Sequence, residues 1–335
     1  MEKKKIGILG AGTWGIALAR MLSKNGHTVT VWSSIEKEIE ELKEKRIHPK
    51  LPNIFIPREI KFTKEMKEVC EEKDIILFAI PSPYIRKVAE DVREYISDGQ
   101  VIVNVAKGIE SSSLFFLSEV IEREMGKRGK KVKVVALSGP THAEEVAMDM
   151  PTTIVSACED IKAAEYIQEI FMNNCMRVYT SSDIRGVELC GALKNIIALA
   201  CGIASGVGCG DNAKAAIITR GMAEITRLGL AMGCDERTFY GLAGIGDLIV
   251  TATSEHSRNN QAGRMIGKGF SVREAEKEIG MVIEGVNALP AALKLAEGYS
   301  VDIPIIRSVN AIINYGAYPT DSILNLMNRE KKQEF

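Results

Sequence analysis

Residues 4–15 read KKIGILGAGTWG, an apolar strand pattern that runs directly into a glycine-rich turn. Gly10, Gly12 and Gly15 have the spacing GxGxxG, and a helix-like sequence follows at 17–26. In such a unit the first glycine allows a tight turn, the second lets backbone N–H groups approach a pyrophosphate, and the third permits close helix–strand packing. The stretch predicts a dinucleotide-binding, Rossmann-type fold; a glycine-rich turn in an unrelated α/β protein is the alternative.

Further apolar strand patterns alternate with helical sequence, as a parallel sheet requires. The predicted strands lie at 28–32, 74–80, 100–106 and 131–137, and segments at 152–158 and 176–180 extend the sheet to about residue 180. Lys107, Gly139 and Thr141 lie just beyond strand ends, where open α/β sheets bind ligands. For Lys107 an ordinary solvated loop charge is the alternative.

The sequence changes character at Asp183, where strand patterns disappear and helical periodicity alternates with glycine-rich breaks. We therefore predict an α/β protein of two domains: an N-terminal Rossmann-type parallel-sheet domain over residues 1–182 and a C-terminal all-α domain over residues 183–335. The chain length of 335 residues agrees, because single hydrophobic cores usually divide beyond about 250–300 residues.

Composition narrows the function classes. The 43 Lys and Arg residues nearly balance the 44 Asp and Glu residues and form no basic runs, which argues against nucleic-acid binding. We find no signal-peptide pattern and no uninterrupted apolar span, so we expect a cytoplasmic protein without a membrane segment. The seven cysteines are scattered, as buried reduced thiols would be, and the four histidines have no metal-ligand spacing, so no metal site is expected.

Residues 186–202 read GVELCGALKNIIALACG and place Lys194 and Asn195 in the middle of an apolar helix. The apolar spacing is that of a mostly buried helix, so Lys194 is expected near the core. A buried ammonium needs compensation, because desolvating it is costly. Lys194 either extends its amine to water, with its stem covering apolar surface, or lies beside a cleft as a proton donor.

A polar cluster, TATSEHSRNN at 251–260, follows the glycine-rich loop AGIGDL at 243–248. Arg258 in this cluster suits an anionic group, because a guanidinium matches the oxygens of a phosphate or carboxylate. A capped helix start with an exposed arginine is the alternative. The AGIGDL loop has no strand before it and is not interpreted as a second nucleotide motif.

Several sequence blocks occur in a fixed order: GAGTWG at 10–15, AIPS at 79–82 with a following arginine, AKGIE at 106–110, SGPTHAEEVA at 138–147, ELCGALKNIIALACG at 188–202, GIGDLIVTATSEHSRN at 244–259 and MVIEGV at 281–286. Together these blocks resemble the bacterial type of NAD(P)-dependent glycerol-3-phosphate dehydrogenase. The resemblance implies NAD or NADP as cofactor, and dihydroxyacetone phosphate and sn-glycerol 3-phosphate as substrates. It also implies a homodimer and a role in glycerophospholipid synthesis.

The resemblance further implies site residues, and Lys194 matches the family's catalytic lysine. Asn195, next to it, is expected to help fix the substrate. The positions expected to bind substrate are Lys107, Gly139, Thr141, Lys194, Asn195, Asp247, Ser257, Arg258 and Asn259. The positions expected to bind cofactor include the turn glycines and Ser34. They are Gly10, Gly12, Thr13, Trp14, Gly15, Ser34, Lys107, Ala143, Arg258, Val282 and Glu284. Asp247 is a candidate to orient Lys194, and His142 is given no acid–base role.

The end of the second predicted strand, TVTVWSSIEKE at 28–38, bears on the choice between NAD and NADP. An acidic residue there would bind the ribose 2′-OH of NAD, whereas an arginine would accommodate the 2′-phosphate of NADP. Neither follows Trp32 directly. Ser33 and Ser34 stand there, and the more distant candidates are Glu36, Lys37 and Arg46. We predict that both cofactors are used, with less than about tenfold discrimination.

Two alternatives stay open. A 3-hydroxyacid or 6-phosphogluconate dehydrogenase also pairs a Rossmann domain with a helical domain that bears Lys and Asn, although the GIGDL and SRN blocks favour a triose phosphate. A noncatalytic dinucleotide sensor would keep the glycine turn and lose the catalytic lysine, and Lys194 is present.

Overall fold

The computed structural model describes residues 2–331, 333 and 334. They form two compact units, one from Met1–Glu110 with Phe115–Glu188, the other from Ser111–Leu114 with Leu189–Phe335. The division between Glu188 and Leu189 falls inside one helix, a few residues after the boundary predicted at residue 183.

Ten strands occur in the described part of the chain, all of them before Asp183. They are β1 (Lys5–Leu9), β2 (Thr28–Trp32), β3 (Ile47–His48), β4 (Leu51–Phe55), β5 (Lys61–Thr63), β6 (Ile75–Phe78), β7 (Val101–Asn104), β8 (Lys133–Ser138), β9 (Thr152–Ala157) and β10 (Met176–Ser181). One sheet has the order β5–β2–β1–β6–β7–β8–β9–β10, and β3 pairs with β4 separately. The predicted Rossmann-type sheet is confirmed. The short strands β3, β4 and β5 were not predicted.

One pair in this otherwise parallel sheet is antiparallel. β8 and β9 run in opposite directions, with Leu137 opposite Ser156. β10 then pairs parallel with β9. The connection between β8 and β9, residues 139–151, contains the five-residue helix Ala143–Ala147.

Helices cover both faces of the sheet. They are α1 (Thr13–Lys24), α2 (Glu36–Lys45), α3 (Met66–Cys70), α4 (Ile85–Val92), α5 (Leu117–Gly126), α6 (Ala143–Ala147) and α7 (Ile161–Phe171). Along β6, Ile75 and Leu77 point into one hydrophobic core, and Ile76 and Phe78 point into the other. This accounts for the continuous apolar runs of the central strands, which are buried on both sides.

From Asp183 onward the described residues are helices and connecting segments, which confirms the predicted all-α region. The helices are α8 (Ile184–Val207), α9 (Asp211–Ala231), α10 (Glu236–Tyr240), α11 (Asp247–Thr253), α12 (Arg258–Gly267), α13 (Val272–Ile279), α14 (Glu284–Gly298), α15 (Pro304–Tyr315) and α16 (Pro319–Met327). A π-helical turn, Leu242–Gly246, precedes α11.

Helix α8 is the one helix in the described residues that is long and apolar enough to cross a membrane by length and composition. Its most apolar window is wholly buried within the protein, as in a core helix. Glycines let α12 pack very closely against it. A Cβ on Gly202 of α8 would lie 2.3 Å from the carbonyl oxygen of Asn260, and one on Gly263 of α12 would lie 2.3 Å from that of Leu199. The two backbones therefore touch, and their register is set by glycine.

Candidate active site

The three glycines of the first turn differ in what a side chain would meet. Gly10 has φ +125°, and a Cβ there would lie 2.3 Å from the carbonyl oxygen of Ala79. A Cβ on Gly15 would lie 2.1 Å from the carbonyl oxygen of Gly10, whereas one on Gly12 would meet nothing within 4 Å. The turn is thus tight at Gly10, closely packed at Gly15 and open at Gly12, where α1 begins. An open helix N-terminus of this kind fits a pyrophosphate.

Predicted residues also meet where β7 and β8 end. The Lys107 ammonium donates a hydrogen bond to the carbonyl oxygen of Gly139 at 3.2 Å, and the Thr141 hydroxyl donates to the same oxygen at 3.1 Å. Gly139 has φ +155°, and a Cβ there would lie 3.0 Å from the carbonyl oxygen of Thr153. Lys107 therefore contacts the segment that leads from β8 to α6. Ala143 is the first residue of α6.

In the second unit, Lys194 lies inside the protein and not at its surface. Its ammonium donates hydrogen bonds to the carboxylate of Asp247 and, at 2.6 Å, to the hydroxyl of Thr251. The side chains of Lys194 and Asp247 are only 6% and 1% exposed. The interpretation in which Lys194 extends its amine to water is therefore wrong, because the charge is compensated inside the protein by a carboxylate.

A distorted turn positions Asp247. The π-helical turn Leu242–Gly246 leads directly into α11, and Gly244 within it has non-helical angles, φ −89° and ψ −105°. A Cβ on Gly244 would lie 2.2 Å from the carbonyl oxygen of Phe239, so this backbone path requires glycine. Wide turns of this type often occur at functional sites, and here the turn delivers a buried carboxylate to Lys194.

Sequence reasoning missed Thr251. Its hydroxyl accepts from Lys194 and lies 2.6 Å from the backbone carbonyl oxygen of Asp247, to which it donates. The available signal was the spacing: positions 247 and 251 are four residues apart, which puts them on one face of a helix. With Asp247 as a candidate partner of Lys194, the next polar residue on that face is Thr251.

Asn195 and Asn259 connect three helices. The Asn259 amide N–H donates to the side-chain oxygen of Asn195 at 2.9 Å, and its oxygen accepts from the backbone N–H of Gly285 at 2.9 Å. Asn195 in turn donates to the carbonyl oxygen of Gly191 at 3.0 Å. The start of α14, which follows Val282 and includes Glu284, is thereby bound to α8 and α12.

Ser257 and Arg258 form a capped helix start with an exposed arginine, the alternative given for this cluster. The Ser257 hydroxyl oxygen accepts the backbone N–H of Asn260 at 3.2 Å. Arg258 is exposed, and its guanidinium donates to the carbonyl oxygen of Val282 at 3.3 Å. This contact links the SRN block to the Val282 segment, and Arg258 and Val282 were both predicted to bind cofactor.

An acidic residue of α2, Glu38, reaches the end of β2, and sequence reasoning did not consider it. The buried Ser33 hydroxyl donates to the carboxylate of Glu38, while Ser34 is exposed. Arg46 is bound elsewhere, because its guanidinium donates to the carbonyl oxygens of Ile60 and Pro57 at 2.8 and 3.4 Å.

Glu36, the first residue of α2, is exposed and paired with Lys64.

The described residues contain no group of three or more His, Cys, Asp or Glu side chains that could hold a metal ion. The seven cysteines are free thiols. Cys175 and Cys209 are partly exposed, so the expectation of buried thiols is wrong for these two and holds for the others.

Comparisons with known proteins place the chain in a family. The sequence model of the N-terminal part of NAD-dependent glycerol-3-phosphate dehydrogenase matches residues 5–164, and that of the C-terminal part matches residues 183–324. The chain is 62% identical over 332 residues to a protein named glycerol-3-phosphate dehydrogenase (NAD(P)+) 2 from Lactobacillus delbrueckii subsp. bulgaricus, with 98% of each chain covered. It is 50% identical over 331 residues to glycerol-3-phosphate dehydrogenase (NAD(P)+) from Fusobacterium nucleatum, again with 98% of each covered.

Comparison of the fold with solved structures points to the same family. A crystal structure of glycerol-3-phosphate dehydrogenase from Coxiella burnetii superposes with a TM-score of 0.93 at 35% identity, covering 98% of this chain and 99% of that one. The resemblance of the sequence blocks is thereby confirmed, and the chain belongs to the NAD-dependent glycerol-3-phosphate dehydrogenase family.

Proposed function

We propose that this protein is an NAD(P)-dependent sn-glycerol-3-phosphate dehydrogenase, which interconverts dihydroxyacetone phosphate and sn-glycerol 3-phosphate. The observation that carries the proposal is the buried Lys194 ammonium, held by the Asp247 carboxylate and the Thr251 hydroxyl. A charged donor kept out of water is what reduction of a ketone needs, because negative charge develops on the carbonyl oxygen.

The bound reduced nicotinamide supplies the hydride to C2 of the ketone. The Lys194 ammonium stabilises the developing alkoxide at C2 and gives it a proton, and in the oxidative direction the neutral amine accepts the proton back. Asp247 favours the charged lysine, since a neighbouring carboxylate stabilises an ammonium. Thr251 fixes the direction of one N–H bond of Lys194 by accepting it.

We assign cofactor binding chiefly to the sheet-containing domain, residues 1–182. The open Gly12 position at the start of α1 supports this, since a pyrophosphate needs bare backbone N–H groups. Gly10, Gly12, Thr13, Trp14 and Gly15 belong to that turn. The other proposed cofactor ligands are Ser34, Lys107, Ala143, Arg258, Val282 and Glu284.

We assign substrate binding chiefly to the helical domain, residues 183–335. Arg258 and the Ser257 hydroxyl are the proposed phosphate ligands, because a guanidinium fork matches phosphate oxygens. The Asn259 amide already binds Asn195 and Gly285, so its contribution is to orient the Asn195 side chain and the α14 start. Lys107, Gly139, Thr141, Asn195 and Asp247 complete the proposed set.

We further propose that the enzyme is a cytoplasmic homodimer that supplies glycerophospholipid synthesis, as the resemblance of its sequence blocks implies. Sedimentation equilibrium of the purified protein tests the dimer: a mass near 73 kDa, twice the chain mass of 36.7 kDa, is expected.

A substrate panel tests the activity. We expect NADH and NADPH to be oxidised with dihydroxyacetone phosphate, and no turnover with 3-oxoacids or, in the oxidative direction, with 6-phosphogluconate. Turnover of either of the latter in place of the triose phosphate would favour the related dehydrogenases. Cofactor binding without turnover of any member of the panel would favour a dinucleotide sensor.

A further inference from the structure

A second buried carboxylate, Glu188, lies outside the proposed chemistry. One of its oxygens accepts the backbone N–H of Ser118 at 3.0 Å, and the other accepts the Ser118 hydroxyl. The amide of Asn104 lies 3.4 Å from the first oxygen. Burial raises the pKa of Glu188 to about 7. A buried acid is costly, so its retention calls for a reason beyond packing.

Asn104 transmits the contact to the backbone. This residue ends β7, and its amide oxygen accepts the backbone N–H of Ala106 at 3.1 Å. Its amide N–H donates to the carbonyl oxygen of Ala106 at 3.2 Å. One side chain therefore fixes both peptide groups of the residue that precedes Lys107.

The far end of the same loop is also tied down. Glu110, three residues after Lys107, accepts two hydrogen bonds from the Arg86 guanidinium at 2.7 and 2.6 Å. Between these two ties, Lys107 reaches the carbonyl oxygen of Gly139. The described contacts thus hold the loop over residues 105–110 at both ends, and the Glu188 tie acts on the end nearer to Lys107.

We propose that Glu188 is a positioning residue: through Asn104 it fixes the Ala106 backbone and so the place from which Lys107 reaches substrate and cofactor. This rests on the proposed role of Lys107. Glu188 suits the task because its oxygens accept hydrogen bonds from Ser118 and Asn104, and by taking the Asn104 N–H it sets the orientation of that amide. Without Glu188 the Asn104 amide loses the contact that fixes it from outside the loop, so its hold on Ala106 weakens.

A purely structural role is the competing explanation, and the chain offers a matched control. Glu224 is also buried, accepts the backbone N–H groups of Ile305 and Ile306 at 2.7 and 3.2 Å, and has a pKa raised to about 7. Loss of Glu224 removes comparable buried hydrogen bonds in the second unit without touching the loop that carries Lys107.

A double-mutant cycle on the full-length enzyme tests the proposal, with kcat/KM for dihydroxyacetone phosphate as the readout. We expect K107A to lower it by at least about tenfold, and E188A by about tenfold, the scale of a displaced contact residue. E188A should add less than about twofold in the K107A background, because the two residues act as one unit.

E188Q, whose amide oxygen still accepts from Ser118 and Asn104, should restore kcat/KM to within about threefold of wild type. E224A should lower Tm and leave kcat/KM within about twofold.

Equal losses from E188A with and without Lys107, or no loss from E188A, would overturn the proposal. A large effect of K107A with none of E188A would overturn the positioning role and leave the proposed function standing. No effect of K107A would overturn both this proposal and the assigned role of Lys107, while turnover of dihydroxyacetone phosphate would still support the proposed reaction. If E188A does not fold, N104A takes its place in the cycle with the same expected and contradicting results.

Discussion

The ammonium of Lys194 and the carboxylate of Asp247 form a buried ion pair, contributed by α8 and by the first residue of α11. The pair is 53 residues apart in sequence and is supported by the Thr251 hydroxyl. Such a pair keeps a proton donor charged and aimed without exposing it to water. Removing either partner would leave the other as an uncompensated buried charge and so destabilise the fold.

The first prediction follows from that dependence. Lys194→Met should lower the free energy of unfolding by about 3–5 kcal/mol, because it leaves the Asp247 carboxylate buried without its cation. The double variant K194M/D247L should recover most of that loss, since it replaces the pair by apolar groups. Urea denaturation of the three proteins measures the difference. Equal stability of K194M and wild type would mean that the pair contributes nothing to the fold.

Arg258→Leu should weaken turnover of dihydroxyacetone phosphate far more than that of phosphate-free dihydroxyacetone. Only the former presents an anion to the exposed guanidinium, and a charge-assisted hydrogen bond contributes about 1.5–3 kcal/mol, or roughly 10–100-fold. The ratio of the two kcat/KM values is the measurement. Equal damage with both substrates would assign Arg258 to the cofactor or to its contact with Val282.

Glu38→Gln should shift cofactor preference toward NADPH by about tenfold, because a carboxylate bound to Ser33 at the end of β2 repels a 2′-phosphate placed there. Glu36→Gln is the matched control for Glu38→Gln, since Glu36 is exposed on the same helix and paired with Lys64. In the wild type, discrimination between NADH and NADPH should stay below about tenfold, and Ser34→Arg should also move the ratio toward NADPH. An identical NADPH/NADH ratio for E38Q and E36Q would place the 2′ position elsewhere.

The buried Glu224 predicts how stability depends on pH. Its pKa is raised from 4.5 to about 7, so between these values the folded protein holds a proton that the unfolded chain has released. Stability is therefore lost as pH rises through that window, by about 3 kcal/mol for a shift of this size. In Glu224→Gln this contribution should vanish, and the unfolding free energies of variant and wild type should converge at low pH and diverge near pH 8. If the unfolding free energies of variant and wild type differed by a constant amount from pH 4 to pH 8, Glu224 would not be the source of the pH dependence.

The first unit was largely predictable because its signals are local. Gly10 and Gly15 each meet a steric demand of a single turn, Gly12 leaves the start of the helix open, and the strands of a doubly covered sheet are continuous apolar runs. The antiparallel direction of β9 was not predictable from its own residues, because an apolar strand pattern does not depend on which way the strand runs beside its neighbour.

The second unit was harder because its contacts are distant in sequence. The sequence shows Lys194 as a charge inside an apolar helix. Its burial depends on an ion pair with Asp247, which a π-helical turn at Gly244 brings into place. Glu38 was missed for a related reason: its helix folds the carboxylate back onto Ser33, so an acid six residues past the strand reaches the strand end.

The central claim is that Lys194 gives the proton in reduction of dihydroxyacetone phosphate. The most direct measurement is kcat for that reaction with K194M, under NADH saturation and at a temperature where circular dichroism shows the variant folded. We predict a loss of at least about 10²-fold, the usual scale for a removed general acid, with the Kd for NADH within about threefold of wild type. A kcat within about threefold of wild type would contradict the account.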